Sequence, residues 1–75
     1  MKALVEYVAR GLVEQSDLVQ VTEIPQGGLI IYELEVAPDD MGKIIGRQGR
    51  VINALRTVVK AAAVRRGVRV NVEVV

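Results

Sequence analysis

The chain has 75 residues, of which 51% are hydrophobic, mostly Val, Ala, Leu and Ile; that is enough for one small domain with a modest core and too little for a second. It contains no cysteine, which excludes disulfides and thiolate metal sites and leaves the redox compartment open, and no histidine, which removes the commonest general base and metal ligand. The net charge of +1 hides a segregation of sign: residues 1–40 hold two bases and eight acids, a net of −6, and residues 41–75 hold eight bases and one acid, a net of +7. A solvated face is the ordinary account of a charge run, yet segregation this complete sets up a field that draws polyanions to one side of the domain.

In chain order, Met1 to about Gln15 has helical periodicity. Leu4, Val8 and Leu12 lie four apart with Val5 and Ala9 beside them, while Lys2, Glu6, Arg10 and Glu14 fill the other face. Those charges also argue against a signal peptide, and no apolar run is long enough to span a bilayer, so a soluble, cytoplasmic protein without membrane insertion is expected. Ser16-Asp17 breaks the helix. Leu18 to Ile24 is a predicted strand rich in β-branched residues, Pro25-Gln26-Gly27-Gly28 a turn, and Leu29 to Val36 a second strand antiparallel to the first. Ile30, Tyr32, Leu34 and Val36 form its buried face.

Pro38 stops that strand, and Asp39 or Asp40 is placed to cap a short helix over Met41 to Ile45. Arg50 to about Arg66 is the longest predicted helix, with a core stripe of Ile52, Leu55, Val59 and Ala62 and a polar stripe of Asn53, Arg56 and Lys60. Arg65 and Arg66 suit its negative end and Gly67 its stop. Val68, Val70, Val72 and Val74 then alternate with Arg69, Asn71 and Glu73 in a last strand. The predicted class is α+β: an αββααβ two-layer sandwich, a three-stranded mixed sheet covered on one face by three helices.

Chemistry concentrates in Gly42-Lys43-Ile44-Ile45-Gly46-Arg47-Gln48-Gly49-Arg50. Gly46 and Gly49 can adopt backbone angles closed to other residues and put no Cβ in the way of a ligand. Arg47 and Gln48 are displayed between them, and the loop opens into a helix whose unpaired N–H groups and positive dipole end suit phosphate. The spacing fits neither the nucleotide P-loop, which needs Gly-x-x-x-x-Gly-Lys-Ser/Thr, nor the dinucleotide Gly-x-Gly-x-x-Gly pattern, since position 44 is Ile. A bare Gly-x-x-Gly is a weak signal and often only turns a corner. Here it lies between short-linked helices, beside Lys43, Arg47 and Arg50, within an αββααβ order.

In that setting the chain resembles a KH domain of type II topology. Ile44 to Ile52 match the KH signature position for position, and Val36-Ala37-Pro38-Asp39-Asp40, Asn53-Ala54-Leu55-Arg56 and Lys60-Ala61-Ala62 are similar to the small bacterial KhpA family of single-KH proteins. The resemblance implies one KH domain over residues 1–75 that grips about four unpaired nucleotides of RNA beside an aliphatic groove. Carried over by position, Gly46 and Gly49 allow close backbone approach, Arg47 and Gln48 contact phosphate, and Lys43 and Arg50 add charge. Ile44, Ile45 and Ile52 would supply groove wall or core, and Asn53 is expected among the RNA-binding residues. The strand side of the groove is expected from residues 29–36. The family also implies self-association, pairing with a larger Jag-like KhpB protein, and a part in RNA regulation and chaperoning linked to growth and cell shape.

Tyr7 and Tyr32 are the only aromatics, so recognition by base stacking is not expected. Arg56 and Lys60 are more often a solvated helix face than phosphate contacts, the alternative for both. Ala61, Ala62, Ala63 and Val64 make the late helix apolar nearly all round, which would suit a protein contact and supports the alternative of a dimerisation module with RNA or single-stranded DNA binding secondary. An enzyme is disfavoured: Ser16, Thr22 and Thr57 have no evident base, no carboxylates gather at the glycine loop, and no cofactor is implied.

Overall fold

A computed structural model describes residues 1–75 and reproduces the predicted order: α1 (Lys2–Leu12), β1 (Gln20–Gln26), β2 (Leu29–Glu35), α2 (Met41–Ile45), α3 (Arg50–Arg66) and β3 (Arg69–Val74). The strands form one mixed sheet in the order β1-β2-β3, with β1 antiparallel and β3 parallel to the central β2. Alternation fixes the faces. Tyr32 and Leu34 of β2 and Val70 and Val72 of β3 point into the core beneath the helices, so Glu33, Glu35 and Glu73 point to the open face.

The hairpin is tighter than the sequence suggests. Gly27 and Gly28 alone make the loop, and Gln26 pairs with Leu29. Pro25 and Gln26, read as turn residues, therefore belong to β1; an edge strand tolerates a proline that a central strand would not. Leu18, read as strand, lies 47% exposed in a single 3₁₀ turn over Ser16–Leu18.

In α1 the buried line is Val5 and Ala9, both fully enclosed, while Leu4 and Val8 flank it and Leu12 is 39% exposed. The helix stripe is thus centred one residue later than the Leu4-Val8-Leu12 line. In α3 the core stripe is Ile52, Leu55, Val59 and Ala63; a strict spacing of four from Leu55 onward selects Ala63, leaving Ala62 half-buried. The ends of α3 match the prediction.

The helix over Met1 to Gln15 ends instead at Leu12, and Val13 is extended. The reason lies 25 residues away. The Glu14 and Gln15 amides donate to the two carboxylate oxygens of Asp40, at 3.2 and 3.1 Å, rather than to carbonyls of their own helix. Asp40 precedes α2 as expected, but its side chain makes no capping bond there. It is 2% exposed and fastens the exit of α1 to the entry of α2. The Gln15 amide first, then the Glu14 amide and the Lys43 ammonium, hold its carboxyl below the ordinary carboxylate range against the opposing effect of burial.

A carboxyl whose pKa is depressed by folding contributes its full stabilisation above its unfolded pKa, about 4, and loses it as pH falls through the lower folded value. Asp40→Asn should lower the melting temperature at pH 7, because an amide can accept one of the two bonds but turns an N–H toward the other donor. Melts from pH 7 to pH 2 should show the two proteins converging in acid. A gap of constant size would mean that the charge of Asp40 is not what stabilises.

Candidate functional site

The link from β2 back to β3 carries the glycine loop. The Gly46 N–H still donates to the Gly42 carbonyl at 2.8 Å, closing α2, and the Gly49 N–H donates to the Gly46 carbonyl at 3.2 Å across one turn, Arg47–Gly49, before α3 starts. The two glycines serve different needs. At Gly46 (φ 75°, ψ 174°) a Cβ would strike Cγ2 of Val51 and lie 2.8 Å from its Cβ and 2.9 Å from its backbone nitrogen. The bare Cα therefore lets the loop press on the first turn of α3, and what needs the room is this protein's own helix. Gly49 (φ 74°, ψ 17°) is left-handed, and a Cβ there would make only ordinary contacts, 3.6 Å from Asn53 Nδ2 and 3.9 Å from Ile52 Cγ2.

Between them Arg47 and Gln48 are exposed, and neither side chain is engaged by a hydrogen bond or ion pair within the fold. Gln48 itself holds φ 56°, the one non-glycine residue with positive φ. Its side chain is thereby aimed outward from a corner that turns left-handed twice in succession. Arg50, also exposed, opens α3.

Two candidate contacts are placed otherwise than expected. Lys43 is not a free cation: its Nζ lies 2.9 Å from a Glu14 oxygen and 3.7 Å from Asp40, and the Glu14 carboxylate first, with Asp40, holds its ammonium above the ordinary lysine range. A phosphate would have to compete with two carboxylates for it. Ile44 is 1% exposed and sits in the core, so it supports the loop from below and offers no surface to a ligand. Ile45 is half-buried against the same core. Ile52, the other wall-or-core candidate, is core.

Asn53 is exposed on α3 one turn past Gly49, and its Oδ1 accepts from Arg56 Nη1 at 3.3 Å. Arg56, read as a solvated face with phosphate contact as the alternative, also makes a bond the sequence does not announce: its Nε donates to the Val72 carbonyl at 2.9 Å. That bond shows which strand lies along α3. β2 has neighbours on both sides, so the free sheet edge beside α3 is β3 and not residues 29–36. Between the second half of α3 and β3 lies a shallow groove of about 390 Å³, lined by apolar Ala63, Val64 and Val68 and by Lys60 and Asn71; β2 adds only Leu29.

Electrostatics follow the layers. Lys43, Arg47, Arg50, Arg56, Lys60, Arg65 and Arg66 all lie on α2, the loop and α3, whereas Glu33, Glu35 and Glu73 occupy the open sheet face. Arg69 shares that open face, and Glu14 and Asp40 lie beside Lys43, so the segregation of sign along the chain is only in part a segregation between faces. The Tyr32 ring is 2% exposed in the sheet core; burial first, and then the carboxylate of Glu23 paired opposite it, raise its phenol above the ordinary range. It offers no stacking surface. The remaining aromatic, Tyr7, is exposed on α1.

The glycines should separate in mutation. Gly46→Ala meets both a backbone region nearly restricted to glycine and a clash with α3, and should cost more than about 2 kcal/mol. Gly49→Ala meets only the left-handed penalty of about 1 kcal/mol. Urea unfolding of both variants tests the order; equal losses would show that the contact with Val51 relaxes freely.

The family model for the KhpA/KhpB KH domain matches residues 2–74. A protein of Clostridium acetobutylicum named "RNA-binding protein KhpA" is 55% identical over 75 residues, covering all of both chains. Proteins of the same name from Caldanaerobacter subterraneus and Chlamydia pneumoniae are 52% identical over 75 residues and 43% identical over 74; the alignments cover all of the Caldanaerobacter protein and 95% of the chlamydial one. No solved structure matches the chain. A glycine corner between two helices, an αββααβ order and a match along nearly the entire length agree: the chain belongs to the KhpA/KhpB KH-domain family.

Proposed function

We propose that the chain is a non-catalytic, cytoplasmic RNA-binding protein, a single KH domain over residues 1–75 that works in RNA regulation. The observation that carries this reading is the state of the loop. Arg47 and Gln48 stand exposed and without partners on a corner held by Gly46 and Gly49, directly before the first N–H groups of α3 and on the basic face. Donors arranged in this way suit the phosphates of a single strand, and the groove beside β3 can take bases against aliphatic walls. The relatives named as RNA-binding proteins support the same assignment.

Fluorescence titration of a labelled short single-stranded RNA should give saturable binding with a log–log salt slope of about −2 to −3, as for three or four phosphates on a single strand. An Arg47→Asp/Gln48→Asp variant, folded by circular dichroism, should lose most of the affinity. Undiminished binding by that variant would reduce the loop to a corner.

A second observation favours pairing with another KH protein. Val8 and Leu12 of α1 and Val51, Ala54, Leu55 and Val58 of α3 line a groove of about 360 Å³ with only Arg50 at its rim, and Val58 is 51% exposed. This apolar seam, rather than the alanine run at the end of α3, is the surface best suited to a second copy of the chain or to a KhpB-like partner. One small groove binds weakly, so pairing would raise affinity by linking two sites. Sedimentation velocity should show a concentration-dependent dimer for the wild type and a monomer for Val58→Asp. A dimer that survives the added charge would place the contact elsewhere.

A further inference from the structure

A line of hydrogen bonds runs from Asn53, one turn past the glycine loop on α3, to the edge of β3. Asn53 Nδ2 lies 3.6 Å from where a Cβ on Gly49 would stand, Asn53 Oδ1 accepts from Arg56 Nη1 at 3.3 Å, and Arg56 Nε donates to the Val72 carbonyl at 2.9 Å. On the strand, the Val72 N–H donates to Asn71 Oδ1 at 2.9 Å. Arg56 is seven residues beyond Gly49, about 10 Å along the helix axis. The groove beside β3 starts one turn further on, at Lys60. Arg56 thus stands between the place for phosphate and the place for bases.

Its two partners are neutral acceptors, and no carboxylate pairs with it, in contrast to Lys43. The guanidinium is held by two bonds yet keeps its charge uncompensated. Of its five N–H groups, one on Nη1 and both on Nη2 remain without a partner. A planar donor pair already held in one orientation recognises two adjacent acceptors better than a mobile one, because little side-chain freedom is left to lose.

We propose that Arg56 is a specificity-determining residue of this site, selecting a base that presents two adjacent acceptors to the Nη1/Nη2 end of its guanidinium. Guanine does so through O6 and N7. Cytosine does so through O2 and N3, whereas adenine and uracil alternate donor and acceptor along the corresponding edges. The proposal rests on the RNA-binding reading of the same site. Asn53 and Val72 act through Arg56, as positioning groups.

The test uses the full chain and four labelled eight-nucleotide RNAs: all-U, all-A, all-C and alternating U and G. Wild type should bind the all-C or the U/G strand at least about fivefold more tightly than all-A and all-U, as expected for one well-placed bidentate contact. Arg56→Lys keeps the charge and can still donate to Val72, so a role confined to covering the strand edge predicts an unchanged ranking. The proposal predicts that the ranking collapses to within about twofold while the salt slope and the circular dichroism stay as in wild type. Equal binding of the four strands by wild type, or a ranking that survives in Arg56→Lys, overturns the role of Arg56 and leaves the loop reading intact. A wild type that binds none of the four overturns both. A ranking that depends on Arg56 but not on Arg47 and Gln48 upholds Arg56 and overturns the loop.

Discussion

The parallel pairing of β2 with β3 is the constraint from which the rest of the fold follows. Parallel neighbours cannot be joined by a tight turn, so the chain must leave β2, travel back over the core and enter β3 in the same direction. α2 and α3 are that return path. The 17 residues of α3 give it about 25 Å, enough to run the length of the six-residue strand that follows. A return path made of two helices needs a bend, and the bend is Gly46–Gly49. The exposed corner exists because the sheet is mixed, and its place at the margin of the domain was settled by the sheet before any ligand is considered.

α2 has only five residues, far below the length at which a helix holds itself together in water. It is pinned at three points. Asp40 ties its start to the chain leaving α1, Ile44 anchors its middle in the core, and Gly46 rests against Val51 at its end. Each of these contacts orders the loop from outside, so the loop can be held in one shape although Arg47 and Gln48 bond to nothing in the fold. Lys43 belongs to the same support: paired with Glu14 and Asp40, it reinforces the tie between α1 and α2.

Periodicity made the element order legible, together with the limits of α3 and the buried face of β2, because those signals lie in residues a few positions apart. It did less well where the deciding neighbour is distant in sequence. The early end of α1 depends on a carboxylate 26 positions from Glu14, and nothing near Leu12 announces it. Lys43 is likewise paired from a distance, first by Glu14, 29 positions before it, and then by Asp40. Pro25 reads as a turn residue unless one knows that β1 is an edge strand. The signature residues of the loop could be named from sequence, but the tandem Ile44-Ile45 could not be divided into core and margin, since both are apolar and adjacent. Arg56 is the plainest case. On a helical wheel it is one more outward cation, and only the placement of β3 alongside α3 reveals a backbone carbonyl within its reach.

The independence of Arg47 and Gln48 from the fold bears on how such a domain can diverge. Substitutions at Arg47 change the charge offered at the corner without touching a packed atom, and at Gln48 they meet only the modest preference of a positive φ. Gly46 has no such latitude, because its neighbour is the domain's own helix. Affinity for a ligand can therefore drift over generations by single changes at two positions while foldability is conserved by a third. Two descendants of one ancestor could then share a scaffold and a corner yet differ widely in what they hold and how tightly.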